Sequence, residues 1–294
     1  MGIEGVNLDI HLQVFIEVVE QSNFSRAAES LHMTQPAVSQ YIKALEERLD
    51  TRLLERTNKY ISLNKAGEIV YQHALEISGL YTQMQTLVDD LTEKASGELK
   101  IGASYTFGEY RLPKIIAQMK ESYPNIHPSI TIGNSKNIAE LVNNYQIDIG
   151  IIEGHVDYED LLIDSLVNDS LVLVSAPGHV INESKLEEES WIVRETGSGT
   201  REVTEKCFKT LGISPSKLLE FSSTQLIKSS VEAGLGISLM SEWVIRREVE
   251  SNHLKINEIK GFPLIREFSF ITKSEFKTRV LEVFIELIKK EKAY

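Results

Sequence analysis

Residues 24–49 read FSRAAESLHMTQPAVSQYIKALEERL, and their spacing predicts two short helices joined by a turn at Leu31–Thr34. In the second helix Val38, Ile42, Leu45 and Leu49 recur at steps of four, three and four, which places them on one buried face. Gln35, Ser39, Gln40 and Lys43 fall on the opposite face. Thr34 has the chemistry of an N-cap, and Pro36 falls in the first turn, where its missing N–H costs nothing. Ser and Gln side chains donate and accept hydrogen bonds and are short enough to let a helix sit deep in a DNA major groove, while a Lys one turn further on reaches a phosphate. Taken by periodicity alone, the same pattern also describes a polar face in an ordinary helical domain.

Upstream, Leu12, Phe15, Ile16 and Val19 repeat at helical spacing and predict a first helix, with Ser22, Asn23 and Ser25 supplying caps where the next begins. Downstream, two short extended runs over Leu53–Leu63 flank a turn at Asn58 and Lys59 and predict a small hairpin. Asn64 reads as the N-cap of a long helix from Lys65 to about Thr92. Its stripe Val70, Ala74, Ile77, Tyr81, Met84, Val88 and Leu91 alternates steps of four and three, the spacing of a dimerising seam. Ala95–Glu98 break that helix and mark a hinge.

The run Phe24, Ser25, Ala27, Ala28, Leu31, Thr34, Gln35, Pro36, Ala37, Val38, Ser39, Ile42, Leu45 and Glu46 resembles the winged helix-turn-helix of LysR-type transcriptional regulators. Asn23, Asp50 and Leu54 depart from the usual Ser, Gly and Phe, and Asp50 must close its helix without glycine's freedom at positive φ. The resemblance implies a DNA-binding set of Ser25, Thr34, Gln35, Pro36, Ser39, Gln40, Lys43, Arg52 and Arg56, with Arg56 on the wing meeting the backbone or minor groove. It implies an α/β chain with an N-terminal winged helix-turn-helix over 1–64, a long linker helix and hinge over 65–95, and a C-terminal two-lobed, periplasmic-binding-protein-like effector domain over 96–294. Lobe one would take about 96–154 and 266–294, and lobe two about 155–265. The partners implied are double-stranded DNA carrying an imperfect inverted repeat, further copies of the chain as a dimer or a tetramer built as a dimer of dimers, and RNA polymerase. Activation and autoregulation are implied as modes of control.

From Leu99 the pattern changes to short β-rich runs alternating with helices, which predicts parallel sheets with helices on both faces. The first crossing strand is expected to leave lobe one near Ile152–Gly154, and the return to follow Leu254–Ile271. Ligands in such sheets bind beyond the carboxyl ends of strands. The loops there carry Ser104, Tyr105 and Thr106 ahead of a helix that Pro113 helps start, Asn134 and Ser135 at a second helix start, and Ser198, Gly199, Thr200 and Arg201 at a third. Converging helix N-termini and hydroxyls suit a small anionic effector, with Arg194 or Arg201 supplying charge. Each loop read singly fits ordinary helix capping. By resemblance, Ser104 and Thr106 fall where effector-contacting hydroxyls lie in regulators of sulphur assimilation, and the Gly-Ser-Gly-Thr-Arg loop is similar to that of the sulphur-assimilation and carbon-fixation subgroup.

Net charge is −12, from 31 Lys and Arg against 43 Asp and Glu, which argues against a nonspecific nucleic-acid coat. Arg52, Arg56, Lys59 and Lys65 still give a local basic strip after the recognition helix. Cys207, the only cysteine, excludes an internal disulfide and a multi-cysteine metal site, and beside Phe208 it reads as packing. No apolar run spans a bilayer and no signal-peptide order opens the chain, so the expected place is the cytoplasm. No HExxH or GxSxG motif occurs, and no cofactor is called for. Glu153, Asp157 and Glu159 read as a solvated acidic connection, with His155 at the lobe junction. The alternative class is an α/β metabolite-binding protein or enzyme with a helical dimerisation arm.

Overall fold

A computed structural model describes residues 9–56, 61–89, 95–274 and 277–290. The chain divides into two units, Met1–Leu91 with Asn144–Gln146, and Thr92–Asn143 with Ile147–Tyr294.

The first unit opens with α1 (Ile10–Gln21), α2 (Phe24–Ser30) and α3 (Gln35–Arg48). Local capping fixes where each begins. Asn23 Oδ1 accepts the N–H of Ser25 at 2.8 Å and of Arg26 at 3.1 Å, and Thr34 Oγ1 accepts that of Ala37 at 3.4 Å. Asp50 takes φ 49°, and the Asp50 and Thr51 N–H groups bond back to the Glu47 and Glu46 carbonyls. Asp therefore closes α3 in the left-handed conformation where Gly is usual, a conformation that Asp tolerates better than most residues.

Val14, Phe15, Val18, Ala27, Ala28, Val38, Ile42, Leu45, Leu53 and Leu54 form the core of this unit. Two sequence expectations shift here. Leu49 is 45% exposed because α3 ends at Arg48, so it leaves the buried face. In α1 the buried residues are Val14, Phe15 and Val18, a stripe rotated from the expected one. The hairpin pairs β1 (Leu54–Arg56) with β2 (Ile61–Leu63) antiparallel; the expected turn at Asn58 and Lys59 lies outside the described residues. Glu46 on α3 holds the start of this hairpin, its Oε1 accepting the N–H of Leu53 at 2.8 Å and of Leu54 at 3.3 Å. Asn64 caps α4 (Lys65–Asp89) through the N–H of Gly67 at 2.8 Å. Ala66, Val70 and Tyr71 of α4 pack on the core, while Ile69, Ile77, Leu80, Met84 and Val88 stay about half exposed.

In chain order the second unit holds β3 (Gly97–Ser104), α5 (Tyr105–Tyr110), α6 (Leu112–Ser122), β4 (Ile126–Gly133), α7 (Ser135–Asn143), β5 (Ile149–Glu153) and β6 (Leu162–Ser175). It continues through β7 (Ser190–Arg194), α8 (Gly199–Leu211), β8 (Lys217–Phe221), α9 (Thr224–Glu232), β9 (Ser238–Ser241), α10 (Glu242–Glu250), β10 (Lys255–Asn257), β11 (Leu264–Thr272) and α11 (Arg279–Lys290). The main sheet runs β10-β6-β11-β5-β3-β4, with β9 also on β6, and β7 pairs with β8 separately.

The sheets are mixed, not parallel throughout: β3 pairs parallel with β4 and β5, but β11 runs antiparallel to both β5 and β6. The reason is that β6 carries the chain out to the second lobe and β11 brings it back, so the two crossing strands point in opposite senses. The outgoing strand is thus Leu162–Ser175, well beyond Ile152–Gly154. Lobe one packs Ile101, Ile115, Phe268, Phe270 and Phe284 in its core; lobe two packs Val172, Ile192, Val231 and Ile245 in one cluster, with Trp191, Val193, Cys207 and Leu239 in another. Burial pushes the Cys207 thiol up to about 11, in keeping with a packing role.

Asp9 ties the two ends of the recognition unit together, capping α1 and pairing with Arg48 at the end of α3 at 2.7 Å. Burial acts to raise its pKa, but hydrogen bonds from Arg48 and His11 outweigh this and hold it at about 2, against an ordinary 3.8. A depressed folded value means that the stability is complete above the unfolded pKa and is lost as pH falls through about 2. Amide exchange of α1 and α3 in the full-length protein should therefore accelerate on acidification through that window, and Asp9→Asn should flatten the dependence; equal acid sensitivity in both proteins would contradict it.

Candidate functional site

Two regions concentrate chemistry, one in each unit. On the first unit Ser25, Thr34, Gln35, Pro36, Gln40, Lys43 and Arg52 are exposed and Ser39 is half-buried. Gln35 Nε2 donates to Ser39 Oγ at 2.9 Å, which aligns the amide along the outer face of α3. Lys43 lies 3.4 Å from Glu47, a solvent-exposed i, i+4 pair that leaves the ammonium free to exchange partners. Thr34 spends its hydroxyl on the cap, so it defines the helix end. The backbone of Arg56 pairs with Ile61 across the hairpin, and its side chain lies outside the description.

In the second unit the expected residues gather where the two lobes meet, but the group at the centre is Arg266, which the sequence reading did not single out. Arg266 and Asp169 are direct cross-strand partners on β11 and β6. Its Nε and Nη2 each lie 2.7 Å from Asp169 Oδ2, and Nη1 lies 3.2 Å from Glu153 Oε1. Nη1 also donates to Thr200 Oγ1 at 2.7 Å and Nη2 to Thr106 Oγ1 at 3.1 Å. Ser104 Oγ donates to Glu153 Oε2 at 2.5 Å, Ser241 Oγ to Asp169 Oδ1 at 2.7 Å, and Ser135 Oγ to the Glu153 carbonyl at 2.7 Å.

Three sequence expectations change. Glu153 is no solvated connector: its side chain is 2% exposed and ion-paired, whereas His155 and Asp157 beyond it do face solvent and pair with each other. Ser104, Tyr105 and Thr106 do come ahead of α6, which Pro113 helps open, but they do not form a loop before it: a further short helix, α5, begins at Tyr105 itself. Neither Arg194 nor Arg201 offers free charge. Arg194 forks onto Glu195 at 2.7 and 2.8 Å, donates to Thr224 and lies over the Tyr105 ring, and Arg201 is held by Glu205 and Glu220 at 2.7 Å each. Alternation along β11 carried the missed signal, because Arg266 shares a strand face with Phe268 and Phe270. Asp169 likewise shares a face with Leu171 and Leu173 on β6.

Burial raises the Asp169 carboxyl above its ordinary value despite the opposing influence of Arg266 and Ser241. For Glu195 burial also acts upward, but the Arg194 fork prevails and its pKa is lowered. Gly199 is required by close approach, since a Cβ there would lie 2.3 Å from the Glu153 carbonyl oxygen. Asn134 caps α7 through Asn137 N–H and donates to Glu195, and Lys136 N–H bonds to Gly197 O, joining the α7 loop to the glycine loop. Ser198 Oγ is buried with no hydrogen-bond partner among the described residues. Thr106, Arg194, Thr200 and Ser241 line a cavity of about 10 Å³, room for one water at most, while Ser135, Glu153, Ser198 and Gly199 face a larger one of about 560 Å³. Among the described residues no His, Cys, Asp and Glu group has metal-site geometry, and no helix is long and apolar enough to cross a membrane.

Comparison with known proteins matches residues 10–68 to the bacterial regulatory helix-turn-helix protein, lysR family, and residues 92–293 to the LysR substrate binding domain. The HTH-type transcriptional regulator CysL of Bacillus subtilis is 37% identical over 95% of each chain. Full-length CbnR complexed with target DNA superposes with TM-score 0.67 at 22% identity, covering 96% of this chain and 98% of that one. The regulatory domain of Synechocystis CcmR in complex with 2-PG gives TM-score 0.62 at 24% identity, over 67% of this chain and 98% of that one.

The hydroxyls of the cleft are unequal. Thr200→Val removes an acceptor from a buried guanidinium and should cost about 1–3 kcal/mol, while Ser198→Ala should change stability by less than about 0.5 kcal/mol. Denaturant unfolding followed by the fluorescence of Trp191 and Trp243, the two tryptophans and both in this unit, checks the contrast; equal losses would contradict the geometry.

Proposed function

This chain belongs to the LysR family of transcriptional regulators, and from that premise we propose that it reads an imperfect inverted repeat in double-stranded DNA under the control of a small anionic metabolite. The family is one of regulators and not of enzymes, so the reading as an enzyme with a helical arm falls away.

In this reading residues 1–64 bind DNA, 65–95 dimerise and 96–294 sense the metabolite. The observation that carries it is the outer face of α3, where exposed Gln35, Gln40 and Lys43 stand on a helix whose start is set by Thr34 and Pro36. A helix so presented enters a major groove by its N-terminal turns, with Ser39 and Gln40 at base edges and Ser25, Lys43, Arg52 and Arg56 at phosphates. One such helix contacts few base pairs. The half-exposed stripe Ile69, Ile77, Leu80, Met84 and Val88 supports pairing through α4, which places two recognition helices on the two halves of an inverted repeat. Assembly continues to a tetramer, in the cytoplasm, with RNA polymerase as a downstream contact and the chain's own promoter among its targets.

The metabolite binds between the lobes, at loops bearing Ser104, Tyr105, Thr106, Asn134, Ser135, Ser198, Gly199, Thr200 and Arg201; the complex of the CcmR regulatory domain with 2-PG supports a small anionic ligand for a domain of this fold. It acts through differential affinity for two arrangements of the assembly, which changes the spacing of the DNA-binding pairs and the bend they impose. The glycine loop Gly197–Arg201 supports a place in the sulphur-assimilation and carbon-fixation subgroup.

Ser39→Ala or Gln40→Ala should cost about 1–3 kcal/mol on the specific site and leave random-sequence DNA nearly unaffected. Fluorescence anisotropy with the two DNAs at one fixed salt concentration checks this; equal losses on both would remove this face from base reading.

A further inference from the structure

The regulator reading leaves open what the metabolite must look like, and Glu153 bears on this. Its carboxylate already takes the donors that a bare oxyanion would need, Ser104 Oγ at 2.5 Å and Arg266 Nη1 at 3.2 Å. Asp169 takes the rest of the same guanidinium. Two carboxylates therefore face one buried cation, and a further oxyanion brought among these hydroxyls meets like charge where water is excluded and screening is weak. Glu153 also fills the space, its Cγ packing where Gly199 has no side chain.

The larger cavity offers both signs of recognition. Ser135, Lys136, Glu153, Ser198 and Gly199 line it, as do Asp157, Glu202 and Glu205, whose carboxylates are already paired with His155, Lys206 and Arg201 respectively. Ser198 Oγ is buried and unpartnered among the described residues, at the head of the thirteen-residue α8, whose first-turn N–H groups and dipole favour negative charge. Glu153 lines the same cavity and has acceptor capacity beyond the two bonds described.

We propose that Glu153 sets the ligand specificity of the cleft: it holds the place of an oxyanion as an internal anion, so the chain rejects bare tetrahedral oxyanions and takes an organic anion that also carries a hydroxyl or ammonium donor. The anionic end meets Ser198, Lys136 and the start of α8, and the donor meets Glu153. This inference rests on the cleft being the effector site of a regulator.

Equilibrium dialysis of labelled sulphate against the full-length protein at constant ionic strength tests it, in wild type, Glu153→Gln, Glu153→Ala and Glu153→Ala combined with Ser104→Ala. Wild type should show no saturable uptake. Glu153→Gln and Glu153→Ala should bind sulphate at least about tenfold more tightly, and the added Ser104→Ala should abolish the gain. Saturable wild-type binding would overturn the proposal, as would folded Glu153 variants with no gain. The wild-type arm decides even where a variant fails to fold. Binding of wild type to the DNA upstream of its own gene, measured in parallel, reports on the regulator reading alone: failure there counts against that reading, whatever the sulphate result.

Discussion

A guanidinium with 2% of its side chain exposed has to be paired, and the C-terminal unit is arranged around pairing Arg266. Its partners come from both lobes and from the strand beside it. Asp169 is delivered by the β6–β11 register, Glu153 by the end of β5, Thr106 by the first turn of α5 and Thr200 by the first turn of α8. The two crossing strands thus meet at a buried ion cluster, not at an apolar seam. Such a cluster is a poor source of net stability compared with a hydrophobic replacement, but it is strict about geometry, because losing one partner strands a charge. That strictness suits a unit whose two lobes must hold one arrangement until a ligand supplies the free energy for another.

The N-terminal unit answers a different constraint, the placement of a polar helix face. Asn23, Thr34 and Asn64 set where helices start, and Asp50 sets where α3 stops. Glu46 joins α3 to the hairpin and Asp9 joins α1 to the end of α3. With both ends of α3 held in this way, its outer residues carry only the Gln35–Ser39 bond and the solvent-exposed Lys43–Glu47 pair among the interactions described.

The sequence made the first unit legible because its determinants are local: caps lie within three residues of what they cap, and helical periodicity needs one window. It also placed Asn134, Ser135, Ser198 and Thr200 at helix starts. The cleft itself was hidden because its partners are remote in sequence, Arg266 reaching Thr200 over 66 positions, Asp169 over 97 and Thr106 over 160. Glu153 was misread because Asp157 and Glu159, which follow it closely, do form an exposed connection. The early part of β6, LIDSLVND, hid among loops since it is largely exposed and alternates with polar residues. Period-two parity with Phe268 was the one local clue to Arg266.

The dependence of the C-terminal unit on this cluster is tested most directly by a double-mutant cycle of Glu153→Gln and Arg266→Met, followed through unfolding of the tryptophan-bearing unit. Arg266→Met alone should cost about 3–5 kcal/mol because two carboxylates lose their counter-charge. With Glu153→Gln already in place the cost should fall, giving a coupling of about 1–3 kcal/mol. Additivity to within about 0.5 kcal/mol would mean that the two side chains are neighbours without being partners, and would contradict the account.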